Sequence, residues 1–416
     1  MLRKVHKLQA GFLAHGSYER PRLPVQQTVA SSGLVPDYSN GWLAMDLHHL
    51  SFYRSIHLPK ETSASHLNVP PPLKQETILM SINFSGFKAS TPVFSTLLYE
   101  WPLTAERKMM HSQSSTNVPI LLDGGMGREL RFRGVELPAT LWSAHALLAA
   151  PDVVRDIHLD YVRAGADIIT TNTYGIVPRE LAREGISDRY DVMNRLACTL
   201  AIQARDAAGV PVRIAGSLPP LGGSFRPDRV GRYKEIEPIY HRQARLLAPH
   251  VDLLLCETMS SSEEGLAAAH AACGTGKPVW VSWTLHEDRS GRLRSGETVA
   301  QALSALSDLP VEGYLANCCA PESITHALPD LLASGVRYVG GYANTFAPIP
   351  EDWTLDGDKK SDGFLDLRED LDPDAYARHV SEWLGAGASV VGGCCGTRPE
   401  HIKRIRHLLR GISSSR

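Results

Sequence analysis

Two groups of adjacent cysteines are the part of this sequence best suited to metal chemistry. The first reads Asn317-Cys318-Cys319, and the second is the glycine-flanked pair Cys394-Cys395. Three thiolates can occupy three positions of a tetrahedral zinc ion and leave the fourth for a substrate, which is the arrangement of a catalytic site. Soft thiolate ligands also favour Zn²⁺ over Mg²⁺ or Mn²⁺. The two groups together therefore predict a catalytic Zn²⁺ site.

The residue types alone leave the third zinc ligand open. Glycines beside Cys394 and Cys395 permit close approach of the backbone to an ion, so both cysteines are predicted ligands. Successive side chains of a strand point to opposite faces, so one of Cys318 and Cys319 can share that site. The other cysteines are predicted core residues, because a free cysteine is often a small buried apolar side chain. They are Cys198, Cys256 and Cys273.

Short apolar segments rich in β-branched residues alternate with helix-like segments from Val118 onward. Strands that are apolar throughout and separated by helices predict a parallel sheet buried on both faces. Eight such units in about 300 residues fit a (β/α)₈ TIM barrel of the α/β class, with an open doubly wound sheet as the alternative. The predicted strands are Val118–Gly125, Ala166–Tyr174, Val212–Leu218, Val251–Glu257, Pro278–Leu285, Gly313–Cys319, Val336–Asn344 and Ala388–Cys395.

Helix-like segments fill the intervals between these strands. The last of them begins just after Thr397, which is therefore predicted to be its N-cap. The predicted helices are Asp152–Ala164, Arg189–Ala208, Tyr233–Leu247, Ser262–Ala272, Thr298–Ser307, Pro321–Ala333, Pro373–Leu384 and Pro399–Leu409.

Polar side chains stand at the predicted carboxyl ends of most strands. Besides the cysteines they include Asp123, Thr171, Ser217, Glu257 and Asn344. In a barrel all of these ends open into one mouth, where the active site forms. An open sheet would usually place its ligand at a single switch point. The pattern therefore favours the barrel.

The composition is that of an ordinary globular chain. The 416 residues include 43 Lys and Arg against 45 Asp and Glu, for a net charge of −2. This balance excludes the basic signature of a nucleic-acid-binding domain. No apolar run approaches the roughly 18 residues that a membrane span needs, so a membrane is not an expected partner either. Seven cysteines, an odd number, disfavour a disulfide scaffold and indicate a reducing, cytoplasmic compartment.

Residues 1–117 differ in character from the rest of the chain. They hold 11 basic and 7 acidic residues, no cysteine, and breaks such as Pro70-Pro71-Pro72. Their apolar residues show no sustained period, which predicts a largely disordered extension followed by a barrel over 118–416. The basic residues Arg3, Lys4 and Lys7, with no acid before Glu19, make organelle targeting a weak alternative to the cytoplasm.

Five short motifs stand in order along the predicted barrel. They are Leu122-Asp123-Gly124-Gly125-Met126-Gly127, Thr170-Thr171-Asn172-Thr173-Tyr174, Glu257-Thr258, Asn317-Cys318 and the segment Gly392–Ile402 around the cysteine pair. In residue types, order and spacing they resemble the zinc-dependent homocysteine S-methyltransferase family. The resemblance extends from Val118 to about Leu409, and the cysteine pair in its glycine-rich frame is its most specific part.

The resemblance implies a metal site and a reaction. The Zn²⁺ ligands would be Cys318, Cys394 and Cys395, which leaves Cys319 as a neighbour. Zinc would hold the homocysteine sulfur as a thiolate. The thiolate would then attack a methyl group on a small cationic donor, and methionine would be the product. No oligomeric state follows from these motifs.

The resemblance also implies how homocysteine is held. Asp123 and Glu257 match the acids that bind its amino group. The backbone amides of Gly124 and Gly125, together with Thr171, match groups that surround its carboxylate. These assignments predict that the first, second and fourth strands supply the amino-acid subsite.

The methyl donor is the part of the function that the motifs define least. Cationic donors are held by aromatic faces, and Trp142 and Tyr174 are the candidates on the donor side. S-methylmethionine or S-adenosylmethionine is favoured, because the chain carries neither a cobalamin domain nor a second, folate-binding barrel. Betaine is less favoured, since the sequence departs from the betaine enzymes at Asn172–Gly175. The loop Gly216–Asp228 also departs from the family pattern.

Two functions of other classes remain as alternatives. One is a non-catalytic barrel that binds zinc or thiols as a sensor, which the intact cysteine set argues against. The other is a barrel lyase or hydrolase with a different metal, which thiolate ligands argue against. The charged insert Asp352–Leu371 is interpreted as a solvated loop or a lid over the mouth.

Overall fold

Parallel strands form a single eight-stranded sheet in the computed structural model, which describes residues 118–138, 140–350 and 365–414. The strands are β1 (Ile120–Leu121), β2 (Ile168–Thr170), β3 (Arg213–Leu218), β4 (Leu253–Met259), β5 (Val279–Trp283), β6 (Gly313–Asn317), β7 (Tyr338–Ala343) and β8 (Val390–Gly393). Consecutive strands from β2 to β8 pair with one another, and β8 also pairs with β1.

The two edges of this sheet meet between β1 and β2. A parallel bridge joins Leu122 to Ile168. The amide of Asp123 donates to the carbonyl of Ile168 at 3.1 Å, and the amide of Asp167 donates to Leu121 at 2.7 Å. These bonds close the ring, so the predicted barrel is confirmed and the open doubly wound sheet is wrong.

Helices connect successive strands and cover the barrel. They are α1 (Met126–Phe132), α2 (Ala146–Ala149), α3 (Pro151–Ala164), α4 (Pro178–Arg183), α5 (Tyr190–Ala208), α6 (Tyr233–Leu247), α7 (Ser262–Cys273), α8 (Val299–Ala305), α9 (Pro321–Leu332), α10 (Pro373–Ala386) and α11 (Pro399–Ser414). Short 3₁₀ turns lie at Trp142–His145, Ser187–Arg189, Pro227–Arg229 and Ala248–His250.

Alternation along the strands separates an inner core from an outer one. Side chains contributed by all eight strand segments form the inner cluster, and their alternate neighbours pack outward in the larger cluster that includes the helices. The inner cluster consists of Leu122, Ile168, Ala215, Leu253, Leu255, Trp280, Leu315, Tyr342 and Val390. The barrel is therefore filled below its mouth, and a ligand can enter only at the carboxyl ends of the strands.

The predicted elements differ from the observed ones mainly at strand ends. Several predicted strands run on past their observed ends, because β1, β2 and β8 turn out of the ladder into loops that line the mouth. Helices α1, α2 and α4 were not predicted, since each is short and lies within a connection. Thr397 is not a helix cap: its hydroxyl donates to the carbonyl of Cys394 at 2.7 Å, and α11 begins at Pro399.

Two sequence predictions fall wholly or partly outside the described residues. The extension over 1–117 lies outside them, as do residues 351–364 of the charged insert. The end of that insert is described: Leu365 is buried, and Leu367 pairs with Phe346 in an antiparallel bridge. No helix among the described residues is both long enough and apolar enough to cross a membrane.

Candidate metal and substrate site at the barrel mouth

One cavity opens at the carboxyl ends of the strands, and every residue predicted for the site lines it. It is built from the loops after β1, β2, β3, β6, β7 and β8 together with the end of β4. The predicted residues brought together there are Asp123, Gly124, Gly125, Trp142, Thr171, Tyr174, Glu257, Cys318, Cys394 and Cys395.

The three cysteines form a compact cluster at one side of the cavity. Their sulfur atoms all lie within 4.8 Å of one another, and the Cys318 and Cys395 sulfurs are 3.6 Å apart. Thiolates bound to one zinc ion at about 2.3 Å in tetrahedral geometry are separated by about 3.8 Å. The cluster therefore fits a single Zn²⁺. Cys319 points away into the outer core, where it is fully buried.

The cysteines are brought together by unusual backbone at the end of β6 and by close packing of the loop after β1 against the end of β8. Cys318 has φ of 51°, in the left-handed region, which turns its side chain into the mouth directly after β6. The loop after β1 lies against the second pair: a Cβ on Gly125 would be 2.8 Å from the carbonyl oxygen of Cys394. Glycine at 125 is therefore what allows the first and last strands to share one site.

The thiols of the cluster interact strongly even without an ion. Hydrogen bonds from Cys318 and Cys394 hold the pKa of Cys395 well below its ordinary value. Hydrogen bonds between Cys318 and the other two thiols, together with burial, raise the pKa of Cys318. Among the three thiols, these contacts favour ionisation of Cys395 over ionisation of Cys318. A divalent cation would favour the thiolate form of the cysteines, because metal binding releases their protons.

Asn317 links the cysteine cluster to the strand beside it. Its Nδ2 lies 3.8 Å from the Cys394 sulfur and donates to the Thr258 hydroxyl at 2.8 Å. Its Oδ1 accepts from the Thr258 amide at 2.8 Å and from Ser282 at 2.7 Å. The side chain is fully buried. Asn317 thus orients one thiol and fixes the end of β4, which carries Glu257.

Two buried carboxyl groups face the same cavity. Asp123 accepts hydrogen bonds from the Thr170 amide at 2.8 Å and the Thr170 hydroxyl at 3.1 Å. Glu257 accepts from Ser217 and, at 3.3 Å, from Tyr342. Burial raises the pKa of Asp123 to about 8, with repulsion from Glu257 adding to it, and raises the pKa of Glu257 to about 7.

Burial makes both carboxyl groups hard to ionise, so the pair favours binding of a cation. An ammonium group between them would supply the missing positive charge and return both to the ionised form. This arrangement suits the amino group of an amino acid.

Ionisation of Asp123 is expected to destabilise the ligand-free fold. Its pKa is raised from 3.8 to about 8, so the folded chain binds this proton more tightly than the unfolded chain does. Stability must therefore fall as pH rises through that window. In metal-free protein, we expect the melting temperature of the wild type to fall from about pH 5 to about pH 8 by at least about 3 °C more than that of Asp123→Asn. Scanning fluorimetry measures both; parallel curves would contradict the prediction.

Two of the three groups predicted to surround the carboxylate, Thr171 and the Gly125 amide, already have partners in the protein. The Thr171 hydroxyl bonds Thr173 at 3.0 Å and accepts from the Ser217 amide at 3.1 Å. The amide of Gly125 donates to the carbonyl of Thr397 at 3.3 Å, a long bond. Gly124 lines the same wall. Thr171 therefore acts mainly on the shape of the wall, and the role of these amides stays a prediction.

Both aromatic residues predicted for the donor side line the cavity. Trp142 begins a 3₁₀ turn with φ of 50°, and its indole lies over Gly127, where a Cβ would be 2.4 Å from Nε1. The Tyr174 hydroxyl is 2.7 Å from that of Ser224, in the loop after β3. The structure thus places both aromatic residues in the wall of the cavity, on separate loops.

Arg128 in α1 was not predicted, yet it binds the segment that covers the cysteines. Its guanidinium donates to the carbonyl of Leu365 and lies 5.5 Å from the ring centre of Phe346. Phe346 and Leu365 belong to a small apolar cluster with Cys318. The positive charge also lowers the pKa of Cys395. No sequence signal distinguishes Arg128, because α1 itself was not predicted.

Removing the contacts of Arg128 with Leu365 and Phe346 is expected to expose the thiols. In metal-free Arg128→Met, we expect the cysteine cluster to react with a maleimide about tenfold faster than in the wild type, because a lost charge-assisted hydrogen bond favours local opening. Arg131→Met, on the exposed face of the same helix, is the matched control. Peptide mass spectrometry of Cys318 follows the reaction. Equal rates in the three proteins would refute the prediction that Arg128 keeps the cysteines covered.

Comparison with known proteins gives a consistent result. Residues 120–409 match the family model described as homocysteine S-methyltransferase. Homocysteine S-methyltransferase of Escherichia coli K12 is 30% identical over 307 residues, covering 69% of this chain and 94% of the relative. Selenocysteine methyltransferase of Astragalus bisulcatus is 28% identical over 324 residues, covering 70% and 92%.

A solved structure agrees with these sequence matches. The metallated form of the Escherichia coli homocysteine methyltransferase MmuM superposes with a TM-score of 0.59 at 27% identity, covering 73% of this chain and 99% of that one. The part of this chain that matches is thus a whole enzyme in each relative.

Proposed function

Since the chain belongs to the homocysteine S-methyltransferase family, we propose that it is a zinc-dependent enzyme that methylates homocysteine from a small sulfonium donor. The donor would be S-methylmethionine or S-adenosylmethionine, and methionine the product. The observation that carries the proposal is a three-thiol cluster with zinc-ligand spacing in the same cavity as two buried acids. One feature suits a thiol and the other an ammonium group, and homocysteine carries both.

The metal would be held by Cys318, Cys394 and Cys395, with Asn317 orienting the Cys394 sulfur. Bound there, Zn²⁺ would supply a Lewis acid that keeps a substrate thiol ionised at neutral pH. A free thiol with a pKa of about 8.5 is only a few per cent ionised at pH 7. Arg128 and the apolar residues beside the cysteines would keep water from the sulfur atoms.

The acids would place homocysteine by its other end. Asp123, just after β1, and Glu257, in β4, would both bind its ammonium group in this cavity. Ser217, Tyr342 and Thr170 hold the two carboxyl groups in place. With the amino end fixed, the short side chain of homocysteine would place its sulfur atom at the thiol cluster.

Charge favours a cationic donor in the remaining space. With zinc and homocysteine bound, the thiolates and the two ionised acids would make the inner wall negative, while Trp142 and Tyr174 would offer aromatic faces that attract a sulfonium. In the transfer, the homocysteine sulfur forms a bond to the methyl carbon. The bond from that carbon to the donor sulfur breaks, and its electron pair stays on the donor, which leaves as a neutral thioether. No proton leaves carbon, so no general base is required there.

A donor panel tests this function. Purified protein is incubated with homocysteine and either S-methylmethionine, S-adenosylmethionine, betaine or methyltetrahydrofolate, and methionine is measured. We expect the two sulfonium donors to support turnover and the other two to give less than about one hundredth of that rate. Failure of all four donors would refute the proposed function, and betaine as the best donor would refute the donor class.

A further inference from the structure

Two phenylalanine rings pack with the cysteines, and a guanidinium group lies over each of them. Phe225 and Phe346 belong to the apolar cluster that contains Cys318. Arg128 lies over Phe346, and Arg294 lies over Phe225 with 4.8 Å between its guanidinium carbon and the ring centre. The second pair joins the loop after β3 to the connection after β5. The proposed function so far gives this pair no role.

Phe225 stands where the loop after β3 reaches the cavity. Its side chain is buried, and it lines the same cavity as Cys318. Its φ of 63° lies in the left-handed region, which costs free energy for a residue that has a Cβ. Such a conformation persists only where the surrounding structure holds it. The ring of Phe225 therefore needs support from other residues to stay beside the thiols.

Arg294 supplies that support from outside the cavity. Its side chain is 5% exposed and lies 2.7 Å from Glu287. Its Nε has no hydrogen-bond partner among the described residues. A buried donor left unsatisfied is costly, whereas a cation over an aromatic ring is worth most where water is excluded. The guanidinium group is therefore placed for its contact with the ring.

The connection that carries Arg294 also holds the backbone of Cys318. An antiparallel bridge folds this connection, after β5, into a hairpin. The amide of Arg294 donates to the carbonyl of Thr284 at 3.3 Å, and the Thr284 hydroxyl donates to the carbonyl of Cys318 at 3.2 Å. One hairpin thus fixes both a thiol of the cluster and the ring that packs with it.

We propose that Phe225 determines which molecules reach the cysteine cluster, and that Arg294, paired with Glu287, is the positioning residue that holds the ring there. The inference rests on the proposed function, because it concerns access to the sulfur atoms that would bind the metal. The ring admits the unbranched side chain of homocysteine and excludes broader molecules. It also limits the entry of water, which would compete with the substrate thiol for the open metal position.

Alkylating reagents of two sizes test this proposal on the full-length, metal-free chain. Iodoacetamide and N-benzyliodoacetamide carry the same reactive carbon and differ in bulk, and peptide mass spectrometry follows their reaction with Cys318. A desolvated cation–π contact shifts an equilibrium by about 10- to 30-fold, so in Arg294→Met we expect the benzyl reagent to react at least about tenfold faster and iodoacetamide less than about threefold faster. The ratio of the two rates is independent of the thiol pKa, because both reagents attack the same thiolate.

Further variants show whether Arg294 acts through the ring. Phe225→Ala should give the same selective increase, and adding Arg294→Met to it should change the rates less than about twofold. Arg294→Lys should recover part of the wild-type selectivity, since it keeps a cation beside the ring. Arg292→Met is the matched control: Arg292 lies in the same hairpin, is exposed, and donates to the carbonyl of Gly296 at 2.9 Å. Its rates should equal those of the wild type.

The zinc-loaded chain gives a second measurement. Transfer of zinc to excess EDTA should be at least about threefold faster in Arg294→Met and Phe225→Ala than in the wild type, because the opened site admits the chelator. Equal transfer rates would overturn the proposal.

The alkylation experiment requires neither zinc nor turnover, so it decides the role of Phe225 even if every donor fails to give methionine. A selective gain for the benzyl reagent supports that role. Equal acceleration of both reagents would show a general loosening of the fold and would overturn the proposal, as would unchanged rates.

Discussion

Replacing Cys394 with serine is expected to abolish metal binding and methyl transfer together. The Cys394 sulfur lies within 4.8 Å of the other two thiols and is oriented by Asn317, so its loss leaves two ligands where an open catalytic site needs three. We expect bound zinc to fall from about one ion per chain to less than about 0.1. Methionine formation should fall by more than the roughly 100-fold that loss of a supporting residue costs.

Cys273→Ser is the control for this experiment. Cys273 ends α7, is half-buried, and lies outside the cavity, so its substitution tests whether any cysteine change has the same effect. Elemental analysis gives the zinc content, and circular dichroism at several temperatures reports folding. A Cys394→Ser protein that keeps a full equivalent of zinc, or full activity, would be incompatible with a three-cysteine site.

Replacing Glu257 with glutamine is expected to weaken homocysteine binding without loss of zinc. The substitution keeps the shape of the side chain and its contacts with Ser217 and Tyr342, while removing the charge that would bind the ammonium group. We expect the KM for homocysteine to rise about 10- to 100-fold, the cost of one charge-assisted hydrogen bond. The kcat should change much less, because the acid acts on binding rather than on the reacting atoms.

A substrate change makes this second prediction specific. With 4-mercaptobutyrate, which has the thiol and carboxylate of homocysteine but no amino group, wild type and Glu257→Gln should have similar KM values. Glu264→Gln is the matched protein control: Glu264 is equally buried with a pKa raised to about 7, yet it lies outside the cavity at the start of α7. An equal loss for both thiols would show that Glu257 supports the fold rather than the ammonium group.

Most of the fold could be predicted because barrel strands have a distinctive composition. A strand buried on both faces reads as a continuous apolar run, so Leu253–Met259 and Gly313–Asn317 were recognised with small errors. The ends were less predictable. Residues such as Asn172 and Thr173 have strand-like neighbours, but they leave the ladder where the loops begin to line the mouth. The local sequence does not indicate the residue at which a segment stops pairing with the neighbouring strands.

The site was predictable where its chemistry is carried by rare residues. Cysteines and acids at strand ends stand out against apolar runs, whereas the choice of Cys318 over Cys319 needed the family resemblance. Tyr342 was not predicted, because within the seventh strand it reads as one more apolar residue, although its hydroxyl binds Glu257. Arg128 contacts Leu365, which is distant from it in the sequence, and no local pattern predicts such a contact.

The pairing of the first strand with the last has a consequence for biosynthesis. Ile120 and Leu121 take their registered partners from Val390 and Val391, and the next residues of β8 lead into two of the three thiols. A chain emerging from the ribosome therefore holds Asp123 early but lacks both the partner strand and two of the three clustered cysteines until β8 and the residues after it are made. Closure of the ring therefore also completes the three-thiol cluster, and a metal ion bound there would add to the stability of the closed barrel.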